Sequence, residues 1–221
     1  KLNNPKRRVI LLEKGNFPTD NYITEGLVKL FSNDGYKIRY YDDEKNSLKT
    51  DTVAVMFSHV NYRTGQISDI NAITKQAHSV GAHIICDISH SIGVLPINLN
   101  RSSADFAVGC TYKYLNGGPG SPSFILVNKR HHNRVWSPLT GWFGHQNPFE
   151  MSNKYSPAQA ISCYLTGTPH IIQLSIIECG IDIALAANIH LVREKSVRLR
   201  NLFINLIDAK CPSLRLIKMC D

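Results

Sequence analysis

The chain has 221 residues, of which 43% are hydrophobic and 19% charged. That balance suits a globular fold and excludes a disordered tail, a collagen-like fibre and a low-complexity linker. The net charge of +8 divides as +3, +1 and +4 over residues 1–50, 51–129 and 130–221. It forms no single basic stripe of the kind that tracks nucleic acid.

Short β-branched runs alternate with helical patterns along the first 130 residues. Val9 to Leu12 reads as a strand. Thr19 or Asp20 can cap a helix from about Tyr22 to Ser32, stopping near Gly35. Lys37 to Tyr41 is a second strand. Thr52 to Phe57 is a third, apolar throughout and therefore expected to be buried on both faces. Asp69 can start a helix through Ile70, Ile73, Ala77 and Val80, with Gly81 as its stop. His83 to Asp87, Phe106 to Gly109 and Ser123 to Val127 complete six strands. Strands alternating with helices predict an α/β fold: a mostly parallel central sheet flanked by helices.

Residues 131–168 read as irregular, with Pro138, Gly141, Gly144, Pro148 and Pro157. Pro169 can open a helix from Ile171 to about Ala187, and a second helix runs from about His190 to Asp208. A further strand is expected near Leu214 to Met219, as the start of a smaller α/β domain. The division expected is a large domain over 1–168 and bridging helices with the start of a small domain over 169–221. Arg193, Lys195, Arg198 and Arg200 fit the solvated side of an amphipathic helix whose apolar residues are Leu191, Val192, Leu199, Leu202 and Phe203. No apolar run approaches the roughly 20 residues of a membrane helix, and no signal peptide is expected. The first residue is Lys1 rather than Met, which points to a piece of a longer protein. Six cysteines without a C-x-x-C pair predict reduced, mostly buried thiols rather than a zinc or disulfide framework. The histidines give no H-x-x-x-H spacing with an acidic partner, so no metal is expected, and His131 and His132 are expected in a solvated loop.

The chemistry-bearing residues cluster late in the strands. Ligands in open α/β sheets collect at the carboxyl ends of the strands, and Asp87 is an acid at such an end. Alone it fits a turn cap equally well, and His90 alone fits a structural role. Lys113 stands between Tyr112 and Tyr114, just past a strand and before Gly117-Gly118-Pro119-Gly120. That turn lacks the lysine and hydroxyl ending of a nucleotide-hydrolysing loop. A lone lysine is usually a surface residue, but one partly shielded from water is a nucleophile toward an aldehyde. An acid ending one strand and a lysine past the next is the minimum that pyridoxal phosphate chemistry needs. The lysine holds the cofactor aldehyde, and the acid pairs with the ring nitrogen.

Five strings strengthen this reading. They are Gly15-Asn16-Phe17-Pro18-Thr19-Asp20-Asn21-Tyr22, Phe57 to Gly65, Asp87-Ile88-Ser89-His90-Ser91-Ile92-Gly93, Ala104 to Gly120 and Gly141-Trp142-Phe143-Gly144-His145. In this order the sequence resembles the kynureninase family, pyridoxal phosphate enzymes of the aspartate-aminotransferase fold type I. The resemblance extends over nearly the whole chain and is stronger to the bacterial branch. It implies that Lys113 holds the cofactor and shuttles protons, that Asp87 pairs with the ring nitrogen, and that His90 lies beside them. Phe17 would stack on the ring, with Pro18, Thr19, Asp20 and Ser58 as further contacts. Tyr112, Trp142 and Thr168 would hold the phosphate, the last two reaching a neighbouring subunit's site in a homodimer. Tyr112 would also serve as acid or base. The match at Thr168 rests on the short Gly167-Thr168-Pro169 motif alone.

The implied reaction is hydrolysis of L-kynurenine, or its 3-hydroxylated form, to anthranilate or 3-hydroxyanthranilate and L-alanine. This is a step of tryptophan catabolism and NAD biosynthesis in the cytoplasm. In the family a phosphate loop lies before the region where this chain starts, and a substrate-carboxylate arginine lies after the region where it ends. Neither Arg200 nor Arg215 is assigned that role, so weak cofactor binding and poor turnover are expected of these residues alone. Two other readings stay open. One is a different fold type I enzyme, such as a cysteine desulfurase or class-V aminotransferase. The other is a catalytically silent interaction or nucleic-acid-binding remnant.

Overall fold

A computed structural model describes residues 6–41, 48–134 and 137–215. The strands are β1 (Val9–Glu13), β2 (Lys37–Tyr41), β3 (Thr52–Ser58), β4 (His83–Asp87), β5 (Phe106–Cys110) and β6 (Ser123–Val127). The helices are α1 (Pro18–Leu30), α2 (Ile70–Ser79), α3 (Leu99–Ser102), α4 (Ile171–Ala186) and α5 (Ile189–Lys210). One six-stranded sheet has the order β2-β1-β3-β4-β5-β6. All neighbouring pairs are parallel except β5 and β6, which are antiparallel. The predicted mostly parallel sheet is therefore present.

Burial follows the apolar runs. Leu11, Val55, Phe57, Ile84, Cys86 and Ala107 pack against the Ile70, Ile73 and Ala77 face of α2. These three positions are spaced for one side of a 3.6-residue helix. The Asp69 side chain accepts from the Ala72 backbone N–H at 3.0 Å and caps α2 as expected. At α1 the start differs. The helix begins at Pro18, with Phe17 as its N-cap and no side-chain cap. Proline needs no N–H partner in a first turn and brings a helical φ, so it sets the start ahead of Thr19 and Asp20.

The region after β6 is built of short 3₁₀ turns, held in part by an isolated bridge between His145 and Pro157. His131 departs from the expected solvated loop: it is 5% exposed and bonded to the Asp105 carboxylate. Burial of an ionic partner at the start of β5 draws the ring inward. Helix α5 carries its basic residues at the surface, but its apolar side is also open, with Leu191, Leu199, Leu202 and Phe203 exposed. Among the described residues no single helix is long and apolar enough to cross a membrane; α4 and α5 reach that apolar length only jointly, across an 82° bend. Cys86, Cys110 and Cys163 are buried, and all five cysteines among the described residues are free. Leu214 and Arg215 are not in a strand, and the rest of the expected strand lies outside the described residues.

Candidate active site

Chain order reverses between β1 and β3. The chain leaves β1 toward β2 on one side and returns to β3 on the other. At such a switch point the loops after neighbouring strands separate and open a crevice at the carboxyl edge. Glu13 ends β1, Ser58 ends β3 and Asp87 ends β4. Ser58 and Asp87 are register partners, and the His59 N–H donates to the Asp87 carbonyl at 2.9 Å. Sheet pairing alone thus brings three polar side chains to one rim.

Asp87 is 8% exposed. Its Oδ1 accepts from the Ser89 N–H at 2.7 Å, which fixes the carboxylate at the mouth of the turn. That turn carries His90 back over the strand ends. Lys113 arrives from the other side, on the loop after β5. Its Nζ lies 2.9 Å from His90 Nε2. It also stands 5.8 Å from the centre of the Phe17 ring and 5.6 Å from that of Tyr112. Burial pushes the His90 pKa down, and the Lys113 charge adds to this against the opposite pull of Asp87. His90 is then the neutral acceptor and Lys113 the donor.

The Lys113 loop is held by its backbone. The Thr111 carbonyl accepts from Gly117 N–H at 2.9 Å, and the Thr111 hydroxyl donates to the Pro122 carbonyl at 2.6 Å. Gly93 packs under Tyr114 with φ of +86°, and a Cβ there would stand 2.5 Å from the Tyr114 carbonyl oxygen. Only glycine meets both demands without strain.

The aromatic wall is Phe17, set edge-on to Tyr62 with ring centres 5.2 Å apart. Asp20, one turn into α1, is 9% exposed, and its Oδ2 is buried without a hydrogen-bond partner. Burial and the nearby Asp87 raise its pKa to about 6, against the opposing influence of Asn16 and Lys113. Ser58 donates its hydroxyl to Asn16 Oδ1.

The fold brings together Phe17, Asp20, Ser58, Asp87, His90, Tyr112 and Lys113, and Pro18 and Thr19 share the first turn of α1. Trp142 and Thr168 stand apart. The ring contacts of Trp142 are with Phe143 and Phe149. Thr168 lines a separate cavity of about 920 Å³ with Thr111, Leu115 and Ile177. Among the described residues no hydrogen bond or ring contact joins either to Lys113.

Two members of the site carry no role in the sequence reading. Glu13 accepts from the Ser58 N–H at 3.2 Å and from Asn61 Nδ2 at 3.3 Å. Asn16, 4% exposed, accepts from the Phe17 N–H at 2.9 Å. The rule that singled out Asp87, an acid ending an apolar strand, applies equally to Glu13. Asn16 has no such signal.

The mostly parallel sheet has counterparts among solved structures. The cysteine desulfurase of Thermococcus onnurineus superposes with a TM-score of 0.73 at 18% identity, covering 92% of this chain and 52% of that one. The Escherichia coli cysteine desulfurase CsdA gives 0.76 at 14% identity, covering 92% and 51%. At these identities the likeness establishes the fold. The aminotransferase class-V family matches residues 24–220, and the chain belongs to that family. Its sequence is similar to the kynureninase of Burkholderia pseudomallei, 45% identical over 210 residues that span 94% of this chain and 50% of the relative. The kynureninase of Pseudomonas fluorescens is 44% identical over the same shares. The chain spans about half the length of the curated relatives it matches.

Proposed function

We propose that the chain is the cofactor-binding part of a kynureninase. This enzyme would use pyridoxal 5′-phosphate to hydrolyse the Cβ–Cγ bond of L-kynurenine, releasing anthranilate and L-alanine. The observation that carries the reading is the pairing of Lys113 with His90 above the Phe17 ring, beside the strand-end carboxylate Asp87. The 45% identity to a kynureninase supports the substrate.

The residues present fit the cofactor. An aromatic face, a lysine amine and a strand-end carboxylate border one crevice, and the buried, unpartnered Asp20 Oδ2 leaves an acceptor for a polar group there. When bound, pyridoxal phosphate supplies an aldehyde for the amino group and a ring that takes up the electron pair released at the α-carbon. Lys113 Nζ would attach the aldehyde and move the α-proton. His90 accepts from Nζ and fixes its direction. Asp87, anchored through Ser89, would pair with the ring nitrogen. Phe17 would cover the ring, and the Asn16–Ser58 bond holds the loop that carries Phe17. Tyr112, 53% exposed, would contact the phosphate and serve as an acid or base.

Several finer assignments belong to the same proposal. Residues 1–168 form the large domain, and 169–221 lead to a smaller one. Two copies share sites in a homodimer, with Trp142 and Thr168 serving the neighbour. The exposure of Trp142 and its separation from Lys113 support this arrangement. The 3-hydroxylated substrate, the place in tryptophan catabolism and NAD biosynthesis, and the cytoplasmic setting follow from the kynureninase likeness.

The test is chemical. Pyridoxal phosphate is added to the chain, reduced with borohydride, and the adduct mapped by peptide mass spectrometry. Attachment at Lys113, with an absorption change on adding kynurenine but not cysteine or aspartate, is the expected result. Attachment elsewhere, or none, overturns the cofactor reading. A response to cysteine alone moves the chain to the desulfurases.

A further inference from the structure

We propose that His83, Asp105 and His131 form a divalent-cation site of the zinc type at the end of the sheet opposite the active site. His83 opens β4 and Asp87 closes it. Four residue steps at about 3.3 Å each place the two ends roughly 13 Å apart. Asp105 immediately precedes β5, and His131 follows β6 on the turn that brings the chain back to it.

Asp105 is 1% exposed. One of its oxygens, Oδ2, is conventionally satisfied by the Ile84 N–H at 2.9 Å and His78 Nε2 at 2.8 Å. The other is crowded. Oδ1 meets His83 Nδ1 at 3.4 Å, Arg130 Nη2 at 2.6 Å, Arg130 Nε at 3.2 Å and His131 Nε2. A carboxylate oxygen accepts about two hydrogen bonds, so four nitrogens crowd Oδ1, and Arg130 Nε also donates to His131 Nε2 at 3.3 Å. A single cation in place of the guanidinium relieves the crowding. The two imidazoles then turn lone pairs to the ion, and Asp105 becomes the third ligand.

Two imidazole nitrogens and one carboxylate are the donor set of zinc, with water completing a tetrahedron. The three ligand atoms lie within 4.8 Å of one another. Tetrahedral donors at about 2.1 Å from a common ion stand about 3.4 Å apart, so the ion draws the outer pair together while His131 and Asp105, now in direct contact, open to admit it.

Arg130 occupies the position of a built-in competitor. Its guanidinium neutralises Asp105, is one-third exposed, and has a second anchor on the Ser103 carbonyl at 2.6 Å. It can therefore leave Oδ1 without abandoning the loop. This gives the proposal an asymmetric signature. Removing a ligand weakens the metal, whereas removing Arg130 strengthens it.

The experiment titrates zinc chloride into the metal-free chain by calorimetry and thermal melting, with cobalt(II) as a spectroscopic probe. One ion per chain is expected, with a rise in Tm as the ion binds the folded state. Cobalt should give tetrahedral d–d bands and no thiolate charge-transfer band, which separates the site from the free cysteines. His83→Leu and His131→Gln should weaken zinc at least tenfold, and Arg130→Gln should tighten it about tenfold. If the buried His131 variant fails to fold, His83→Leu and Arg130→Gln still decide the matter. Absence of zinc binding in both the natural chain and Arg130→Gln overturns the proposal. So does binding that carries a thiolate band, or binding that is indifferent to both of these variants.

Discussion

Lys113 Nζ stands 2.9 Å from His90 Nε2, although the two residues come from loops after different strands. In the proposed mechanism this contact makes His90 a positioning residue. Its burial lowers its pKa, so it stays neutral and accepts from the amine. His90→Phe should keep the fold but slow borohydride-trapped attachment at Lys113 about tenfold, in keeping with the loss of one well-placed hydrogen bond to a charged group. His90→Gln, which can still accept, should recover most of that rate. Equal rates in all three proteins would remove His90 from the mechanism.

The same depressed pKa has a consequence for stability. A histidine whose folded pKa lies below its unfolded value binds fewer protons when folded, so stability falls as pH drops below 6.5. Buried His59 adds to the effect, since burial lowers its pKa too. In the Asp20→Asn background, which removes a carboxyl of opposite sign, denaturant midpoints measured from pH 7.5 down to about 5.5 should decline, and adding His59→Gln and His90→Gln should flatten the slope.

Asp20 acts with the opposite sign. Its pKa rises from 3.8 to about 6, so the folded state holds the extra proton and stability is lost as pH climbs through that window. Asp20→Asn should therefore stabilise the chain at pH 7 by about 1–3 kcal/mol in urea unfolding. It should at the same time weaken pyridoxal phosphate binding. A variant less stable than the parent at pH 7 would contradict the burial argument.

Gly93 tests how the lysine loop is held. Alanine there must adopt a φ of +86° and meet the Tyr114 carbonyl. The expected cost is about 1–3 kcal/mol in chemical denaturation, together with reduced trapping at Lys113. Unchanged stability would show that the loop yields at no cost.

Phe57 measures the core beneath the site. It is 0% exposed in β3, directly before Ser58. Phe57→Ala should cost about 3–5 kcal/mol through lost transfer energy and a cavity. Tm and urea midpoint should fall together, and a cost under about 1 kcal/mol would mean that the sheet collapses around the gap.

Much of this molecule is written locally. All six strands stand in the residues Val9 to Val127: β1, β3, β4 and β5 are apolar runs bounded by turn residues, which a buried sheet takes up, while β2 and β6 are its more open edges. Asp69 capped its helix as expected, since a cap needs only residues three positions apart. The positions of Asp87 at the end of β4 and of Lys113 on the loop after β5 are legible in the sequence, because both follow from where apolar runs stop. What sequence could not decide depends on which strands become neighbours. The pairing of β1 with β3 across the switch point put Glu13 and Asn16 against Ser58, 45 and 42 positions away in the chain. Return of the chain after β6 buried His131 on Asp105, against the solvated loop that its polar neighbours suggested. Side-chain periodicity reports a residue's own face; only the closed sheet sets its distance to residues far along the chain. The active-site rim and the histidine cluster at the far edge are both products of that closure.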